Sequence, residues 1–194
     1  MSGTDMTKMP VPDLNGERVS LRRARAEDIE ARRKLGNDPD IVRMYGGDSR
    51  NARPMTEEEA ERWVQRLLDH DHAWIIDAGA LIGEIRLDRV DFWDKRAVLA
   101  VGIADKTRLG QGLGTEAIRL VLRYAFDVLD LHRISARVLE FNTRAIRAYE
   151  KCGFVVEGRE RESAHVDGKW HDDVMMGVLG NEFAAVTQKS RRDP

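Results

Sequence analysis

Residues 109–116 read Leu109-Gly110-Gln111-Gly112-Leu113-Gly114-Thr115-Glu116, with glycines at alternate positions directly before a long amphipathic segment. Glycine lets the main chain approach a ligand closely, and the N-terminus of the following helix adds a partial positive charge. Such a turn predicts a phosphate or diphosphate site, with Arg108 as the single cation beside it. The alternative interpretation is a tight strand-to-helix turn whose glycines serve packing alone.

The motifs that are absent from residues 109–116 limit the classes of ligand that this turn could bind. It contains no Gly-Lys-Ser/Thr, so a Walker loop is excluded. A dinucleotide-binding fold requires Gly-x-Gly-x-x-Gly within a longer parallel sheet, whereas the spacing here is Gly-x-Gly-x-Gly and little chain follows. Glu140 nevertheless stands at the end of the next predicted strand, where a ribose-binding acid would lie. A nucleotide-dependent oxidoreductase therefore stays open as an alternative.

Periodicity on both sides of the turn predicts an α/β (α+β) domain with a mainly antiparallel sheet. Strands are predicted at 17–23, 73–77, 80–90, 96–103, 134–139, 154–160 and 174–179, with helices from residue 26, after a Thr56/Glu59 capping box, over 112–130 and over 143–152. The unit from 96 to 139 is expected to be a right-handed parallel β-α-β unit. The stretch 41–54 has no clear period and is interpreted as a surface connection, or else as an ordered loop covering a site.

The composition indicates a single folded domain without a general affinity for polyanions. The 194 residues include 32 Lys and Arg against 34 Asp and Glu. Without a net basic field, neither nucleic acid nor a membrane is an expected partner. Cys152 is the single cysteine, so no intrachain disulfide or cysteine-based zinc site can form, and no metal site is predicted. No signal-like or bilayer-length apolar run occurs, which predicts a cytoplasmic protein.

A second motif follows the next predicted strand. It reads Asn142-Thr143-Arg144-Ala145-Ile146-Arg147-Ala148-Tyr149-Glu150-Lys151-Cys152-Gly153-Phe154. Together with the glycine turn, it resembles the GNAT superfamily of N-acetyltransferases, particularly the RimJ/RimL-like branch. The motifs of that family are Gln/Arg-x-x-Gly-x-Gly/Ala and Asn-x-x-Ala-x-x-x-Tyr-x-Lys-x-Gly-Phe. The resemblance implies a single GNAT acetyltransferase domain at 17–183. The polar, Pro-containing residues 1–16 before it predict a flexible N-terminal lead-in, and the residues after it, 184–194, a C-terminal tail with a charged end.

The resemblance also implies the architecture and the cofactor. The expected fold is a GNAT-like mixed sheet of about seven strands with helices on both faces. This sheet splays between the family's fourth and fifth strands, the fourth being assigned here to residues 96–103. Acetyl-CoA is the implied cofactor, with its pantetheine arm against the main chain of Val101 and Ile103 and its diphosphate held by Arg108, Gly110, Gln111, Gly112, Gly114 and Thr115. Asn142 matches a position that contacts the pantetheine arm, and it equally suits a cap for the helix that follows.

The implied chemistry rests on two candidate residues. Tyr149 aligns with the family tyrosine that protonates the leaving thiolate, and a phenol with a pKa of about 10 is protonated at neutral pH. Its alternative role is packing on Phe154. Val98 occupies the position where many relatives carry a strand-four glutamate, so Glu84 on the neighbouring strand becomes the candidate base, or else a plain solvated carboxylate. Leu109 also departs from the family's Gln or Arg, at low expected cost because main-chain N–H groups bind there.

The expected reaction is direct acetyl transfer to a primary amine in a ternary complex. Protein N-termini, aminoglycosides, polyamines and other small amines are all acceptors within the branch, and the sequence does not choose among them. Trp93 and His171 are the candidates for the acceptor pocket, although Trp93 equally suits a contact within a homodimer, an assembly common among relatives. Because Val98 replaces the strand-four glutamate, a non-catalytic acyl-CoA-binding sensor is the main alternative function.

Overall fold

The computed structural model describes residues 11–189; residues 1–10 of the expected lead-in and 190–194 of the expected tail lie outside this range. Its strands are β1 (Leu14–Asn15), β2 (Ser20–Arg22), β3 (Ala73–Asp77), β4 (Leu81–Asp91), β5 (Arg96–Ile103), β6 (Arg133–Leu139), β7 (Val155–Val166) and β8 (Lys169–Leu179). They form one sheet in the order β1-β2-β3-β4-β5-β6-β8-β7. Every neighbouring pair is antiparallel except β5 and β6, which are parallel. The predicted mixed, mainly antiparallel sheet is confirmed.

Helices cover both faces of this sheet. They are α1 (Asp28–Leu35), α2 (Pro39–Met44), α3 (Glu57–Leu68), α4 (Leu113–Arg123), α5 (Thr143–Glu150) and α6 (Gly180–Lys189). Alternate residues of β3 separate the two faces, because Ile75 packs in the cluster with α1 and α3, whereas Trp74 and Ile76 pack in the larger cluster with α4. None of the described helices is both long and apolar enough to cross a membrane.

The sheet opens between β5 and β6. These strands pair only from Arg96 to Val98, opposite Arg133 to Ser135. Beyond that point β5 stays with β4 as far as Ile103, while β6 stays with β8 as far as Leu139. A wedge-shaped gap therefore lies beside the second half of β5, which is the splay that the family resemblance implied.

Alternation along β5 decides which main-chain groups face this gap. Ala104, just after the strand, donates its N–H to Ile82 on the β4 side. Ala97 accepts a bond from Ser135 of β6, and the Leu99 carbonyl accepts one from Tyr149. Since odd-numbered residues face away from β4, the main-chain groups of Val101 and Ile103 point into the gap.

Several boundaries differ from the sequence-based prediction. The eighth strand is β1, a two-residue strand within the segment expected to be a loose lead-in, and α6 extends into the expected tail. The interpretation of 41–54 as irregular chain was wrong at its start, because α2 continues there to Met44. The Asp38 carboxylate accepts from the N–H groups of Asp40 and Ile41, and Pro39 occupies the first helical turn, so α2 begins three residues after Gly36, the C-cap of α1. The capping box before α3 is confirmed: Thr56 and Glu59 bond each other reciprocally.

Candidate active site

The glycine turn lies at the C-terminal end of β5, directly before α4. Gly112 is the N-cap of α4 and adopts a left-handed conformation, with φ of 81°. Gly110 is also left-handed, with φ of 76°. A side chain is strained in this region of backbone space, so the path of the turn itself requires both glycines.

The turn presents a run of main-chain donors without partners. The N–H groups of Arg108 and Leu109 bond to Asp105 and Lys106. From Gly110 to Thr115, by contrast, no N–H group has a hydrogen-bond partner within residues 11–189. The first turn of a helix leaves its donors free by geometry, and here the preceding loop adds to them. The result is a concave row of donors that suits a phosphate or diphosphate.

Gly114 needs a separate explanation. Its backbone lies outside the left-handed region, and a Cβ atom there would meet only Ile103, at 3.7 Å from its Cγ1. That is an ordinary van der Waals contact, so neither backbone strain nor crowding by the protein requires glycine. The missing side chain instead leaves free space between the first turn of α4 and the open edge of β5.

A cavity of about 410 Å³ occupies this space. It runs between the glycine turn, the open edge of β5 and the inner face of α5. Of the residues predicted to hold the cofactor, those lining it are Val101, Ile103, Arg108, Gly110, Gly112, Gly114, Thr115 and Asn142. Gln111 does not line it, because its side chain turns back and donates to the Thr107 carbonyl at 2.8 Å. Such a volume is typical of small-molecule sites.

The sequence-based prediction missed a cation on the far side of the turn. Arg18, just before β2, donates from its guanidinium to the Gln111 carbonyl at 2.9 Å and to the Glu116 carboxylate at 3.1 Å. Glu116 also accepts from the main-chain N–H of Arg18 at 2.8 Å. This pairing fixes the turn to the start of the sheet. More than 90 positions separate the partners, so no local motif could have indicated it.

A row of cations on α5 was also missed. Arg144, Arg147 and Lys151 all line the cavity. Their spacing of three and four residues places them along one side of the helix. This periodicity lies inside the second motif and was the available signal.

Tyr149 lies at the point where the sheet opens. Its side chain is buried, its ring packs edge-on to Phe154 at 4.9 Å, and its hydroxyl donates to the Leu99 carbonyl at 3.5 Å. Burial raises the pKa of the phenol far above its usual value. Tyr149 also lines the cavity, so it both packs in the core and presents a protonated hydroxyl to the gap.

The end of α2 forms the other wall near Tyr149. Ile41, Met44 and Tyr45 line the cavity, which agrees with the alternative interpretation of 41–54 as a segment that covers a site. The Tyr45 hydroxyl lies so close to Gly102 of β5 that a Cβ there would stand 2.2 Å from it. Asn142 ties α2 to α5, because its side chain donates to the Met44 carbonyl at 3.3 Å and accepts from the Ala145 N–H at 3.2 Å. The capping role foreseen for Asn142 is thus observed.

Glu84 does not line the cavity. Its carboxylate accepts from Arg86 at 2.6 Å and from Arg66 at 3.1 Å. Both partners are guanidinium groups, so Glu84 is neither a free base nor a plain solvated carboxylate.

The two residues predicted for the acceptor pocket also lie outside the cavity lining. Trp93 is 94% exposed at the tip of the β4–β5 hairpin, which is the end of β5 opposite the glycine turn. His171 on β8 packs edge-on to Phe141 at 4.8 Å, with its Nδ1 3.4 Å from Glu140. Glu140 in turn pairs with Arg159 at 3.2 Å. The acid considered for ribose binding therefore serves contacts within the protein.

These features define a protein that holds a phosphate-bearing ligand in a gap of its own sheet. The model of the acetyltransferase (GNAT) domain family matches residues 18–155, and the chain belongs to this family. It is an N-acetyltransferase, and its cofactor is acetyl-CoA. This assignment replaces the two alternative functions, a nucleotide-dependent oxidoreductase and a non-catalytic acyl-CoA-binding sensor.

Named relatives and solved structures agree with this assignment. The chain is 26% identical over 170 residues to the spermidine N(1)-acetyltransferase of Vibrio cholerae, covering 85% of this chain and 95% of the relative. The crystal structure of an acetyltransferase-like protein from T. thermophilus matches with a TM-score of 0.80 and 28% identity, covering 97% of this chain and 100% of that one. The V. cholerae spermidine N-acetyltransferase in complex with CoA and spermine matches with a TM-score of 0.72 and 25% identity, over 87% of this chain and 99% of that one.

The donor set of the cavity fits acetyl-CoA. A diphosphate requires several N–H donors and positive charge, which the residues from Gly110 to Thr115 and Arg108 provide. An amide-containing arm requires an unpaired strand edge, which β5 provides beyond Val98.

Proposed function

We propose that this chain moves an acetyl group from acetyl-CoA to a primary amine by direct transfer within a ternary complex. The observation that carries the proposal is the row of unpartnered N–H groups from Gly110 to Thr115 beside the open edge of β5. A diphosphate on that row would orient the rest of the cofactor along β5, toward Tyr149. The amine acceptor would then arrive from the Tyr45 side of the gap.

The contacts that we propose for the cofactor fall into three groups, one for each chemical part of acetyl-CoA. Main-chain N–H groups of the glycine turn, with Arg108, would hold the diphosphate. The cations of α5, which are Arg144, Arg147 and Lys151, would neutralise further phosphate charge. The main chain of Val101 and Ile103 would pair with the pantetheine amides, near Asn142.

Tyr149 is the proposed general acid. When bound, the cofactor supplies an acetyl carbon activated as a thioester. Transfer of the acetyl group would form a carbon–nitrogen bond as the carbon–sulfur bond breaks, and the proton that the nitrogen loses would balance the one that the sulfur gains. The raised pKa of Tyr149 keeps its proton available to sulfur at neutral pH.

We do not propose Glu84 as the general base. Its carboxylate already accepts from Arg66 and Arg86, and proton abstraction would compete with both ion pairs. Val98 brings no ionisable group to the strand-four position. We therefore propose that the amine reaches the site through its neutral fraction, with solvent taking its proton. The RimJ/RimL-like branch and the homodimer remain predictions.

The test follows free thiol release from acetyl-CoA with a panel of primary amines. The panel contains a peptide with a free N-terminus, an aminoglycoside, spermidine and several amino acids. Thiol release that depends on one of these amines, with the acetylated amine identified by mass spectrometry, supports the proposal. Thiol release that is independent of every amine would contradict it. The Gly158→Ala variant is a matched control, because a methyl group there meets open space on β7.

A further inference from the structure

The phenol of Tyr45 borders the gap from the sheet face opposite α4. Gly102 of β5 pairs with Glu84 of β4, and Glu84 pairs with Ile75 of β3, so these three positions share one face. Ile75 packs with α1 and α3, whereas the glycine turn leads into α4 on the other face. The Tyr45 hydroxyl lies on the Ile75 face, because a Cβ atom on Gly102 would stand 2.2 Å from it.

Tyr45 also explains why residue 102 is glycine. The three protein atoms nearest to a Cβ at this position all belong to the Tyr45 phenol, at 2.2, 2.8 and 3.0 Å. The backbone of Gly102 lies outside the left-handed region, so backbone strain does not require glycine there. The strand lacks a side chain at this point, and the phenol occupies the space.

The hydroxyl of Tyr45 has no hydrogen-bond partner among residues 11–189. By contrast, the hydroxyl of Tyr149 donates to the Leu99 carbonyl. The Tyr45 side chain is 54% exposed where it lines the cavity, while the protein atoms around it raise the pKa of the phenol. A phenol that stays protonated at neutral pH has an O–H to donate and lone pairs that accept. This hydroxyl is therefore fixed by packing and free to bond a ligand in the gap.

Contacts on both sides of Tyr45 hold it across the gap. The guanidinium of Arg43 lies 4.1 Å from the centre of the Phe141 ring and pairs with Asp167 at 3.3 Å. Ser49 donates from its main-chain N–H to the Asp167 carboxylate at 2.8 Å. Phe141 follows β6, and Asp167 lies in the turn between β7 and β8. The segment that carries Tyr45 is thus bonded to the half of the sheet that splays away from β5.

We propose that the Tyr45 hydroxyl binds the acceptor amine, accepting a hydrogen bond from its nitrogen while the nitrogen lone pair faces the acetyl carbon. The inference rests on the proposed function and adds the residue that orients its nucleophile. The diphosphate site and Tyr149 both lie on the α4 side of the sheet, which leaves the opposite face to the amine. A neutral primary amine has two N–H groups. One donates to Tyr45, and the other stays available for loss to solvent.

The experiment removes this hydroxyl and keeps the ring. The acceptor is the member of the amine panel (peptide, aminoglycoside, spermidine or amino acid) that gives the fastest thiol release. For Tyr45→Phe we expect kcat/KM for that amine to fall about threefold to tenfold, as for the loss of one hydrogen bond. The Kd for CoA, measured by calorimetry, should stay unchanged. Tyr124→Phe is the matched control, because Tyr124 follows α4 and lies outside the cavity lining.

A second pair of variants tests the position of the hydroxyl. Gly102→Ala must displace the phenol, since the new methyl group would stand 2.2 Å from the hydroxyl, so it should lower the same kcat/KM. In an enzyme that already carries Tyr45→Ala the methyl group no longer meets the phenol, and Gly102→Ala should have little further effect. Such non-additivity is expected of two residues that act through one contact.

The inference is overturned if Tyr45→Phe keeps the wild-type kcat/KM for the amine, or if its main effect is a weaker affinity for CoA. Additive effects of Gly102→Ala and Tyr45→Ala would also contradict it. In each of these cases amine-dependent thiol release is still observed, whereas failure of the proposed function means that release depends on no amine. Tyr45→Phe keeps the ring and its packing, so it remains decisive even if Tyr45→Ala folds poorly.

Discussion

Replacing Gly114 by alanine should make the protein more stable while weakening its hold on CoA. The position lies in the first turn of α4 with ordinary helical backbone, and the new methyl group would meet Ile103 at a comfortable 3.7 Å. Alanine in place of glycine within a helix is worth about 0.5–1 kcal/mol. For a chain of this size, that corresponds to a rise in Tm of about 1–4 °C.

The same methyl group projects into the space that we assign to the diphosphate. Losing one or two charge-assisted hydrogen bonds costs about 1.5–3 kcal/mol, which is a tenfold to hundredfold rise in Kd. Thermal unfolding measures the first effect in the absence of CoA, and isothermal titration calorimetry with CoA measures the second. Gly158→Ala serves again as the control, with neither effect expected.

Gly114→Ala is predicted to raise stability and to weaken CoA binding. A variant that merely damages the fold would instead lower both. If Gly114→Ala binds CoA as tightly as wild type, the glycine turn is not the diphosphate site. If instead the variant loses stability, the argument that the protein itself has room for the methyl group is wrong.

Three further predictions follow from neighbouring residues. Tyr149→Phe keeps the packing on Phe154 but removes the acidic proton, so kcat should fall about 10²-fold or more with little change in the Kd for CoA; an unchanged kcat would remove Tyr149 from the chemistry. The rate should rise with pH as the acceptor amine loses its proton. Because the pKa of Tyr149 is raised, the pH–rate profile should show no descending limb below about pH 10. A descending limb near neutrality, measured with the Tyr149→Phe enzyme alongside, would contradict this. Gly83→Ala places a Cβ 1.9 Å from the Gly102 carbonyl oxygen, which must force β4 and β5 apart. We expect the free energy of unfolding, measured by chemical denaturation, to fall by about 1–3 kcal/mol or more. A stability equal to that of Gly158→Ala would refute the clash.

Local patterns predicted the parts of the site that are contiguous in the chain. The alternate glycines before α4 predicted the donor row, because helix geometry leaves those N–H groups free whatever the rest of the fold does. The Thr56–Glu59 box predicted the start of α3 for the same local reason. The strand at 96–103 was predicted from periodicity, whereas its splay from the next strand followed from the family resemblance.

The parts that were missed depend on contacts distant in sequence or on elements too short to show a period. Helix α2 has six residues, and β1 has two, so neither fills the window that periodicity requires. Strand β7 was predicted six residues too short, because residues 161–165 are polar except for Ala164 and carry none of the β-branched or aromatic residues typical of strands. Trp93 and His171 lie outside the lining of the described cavity, at the tip of the β4–β5 hairpin and against Phe141, so their role in the acceptor pocket stays a prediction.

The bond from Arg18 to the Gln111 carbonyl has a practical consequence for anyone who shortens this chain. Removal of residues up to α1 would leave the sequence of every helix and of strands β3 to β8 intact, although it would take the buried side chains of Val19 and Leu21 out of the core. The shortened chain would also lose the guanidinium that braces the turn from outside and would leave Glu116 without its main-chain donors. Truncated or N-terminally fused versions should therefore be judged by how well they retain CoA as well as by how well they fold.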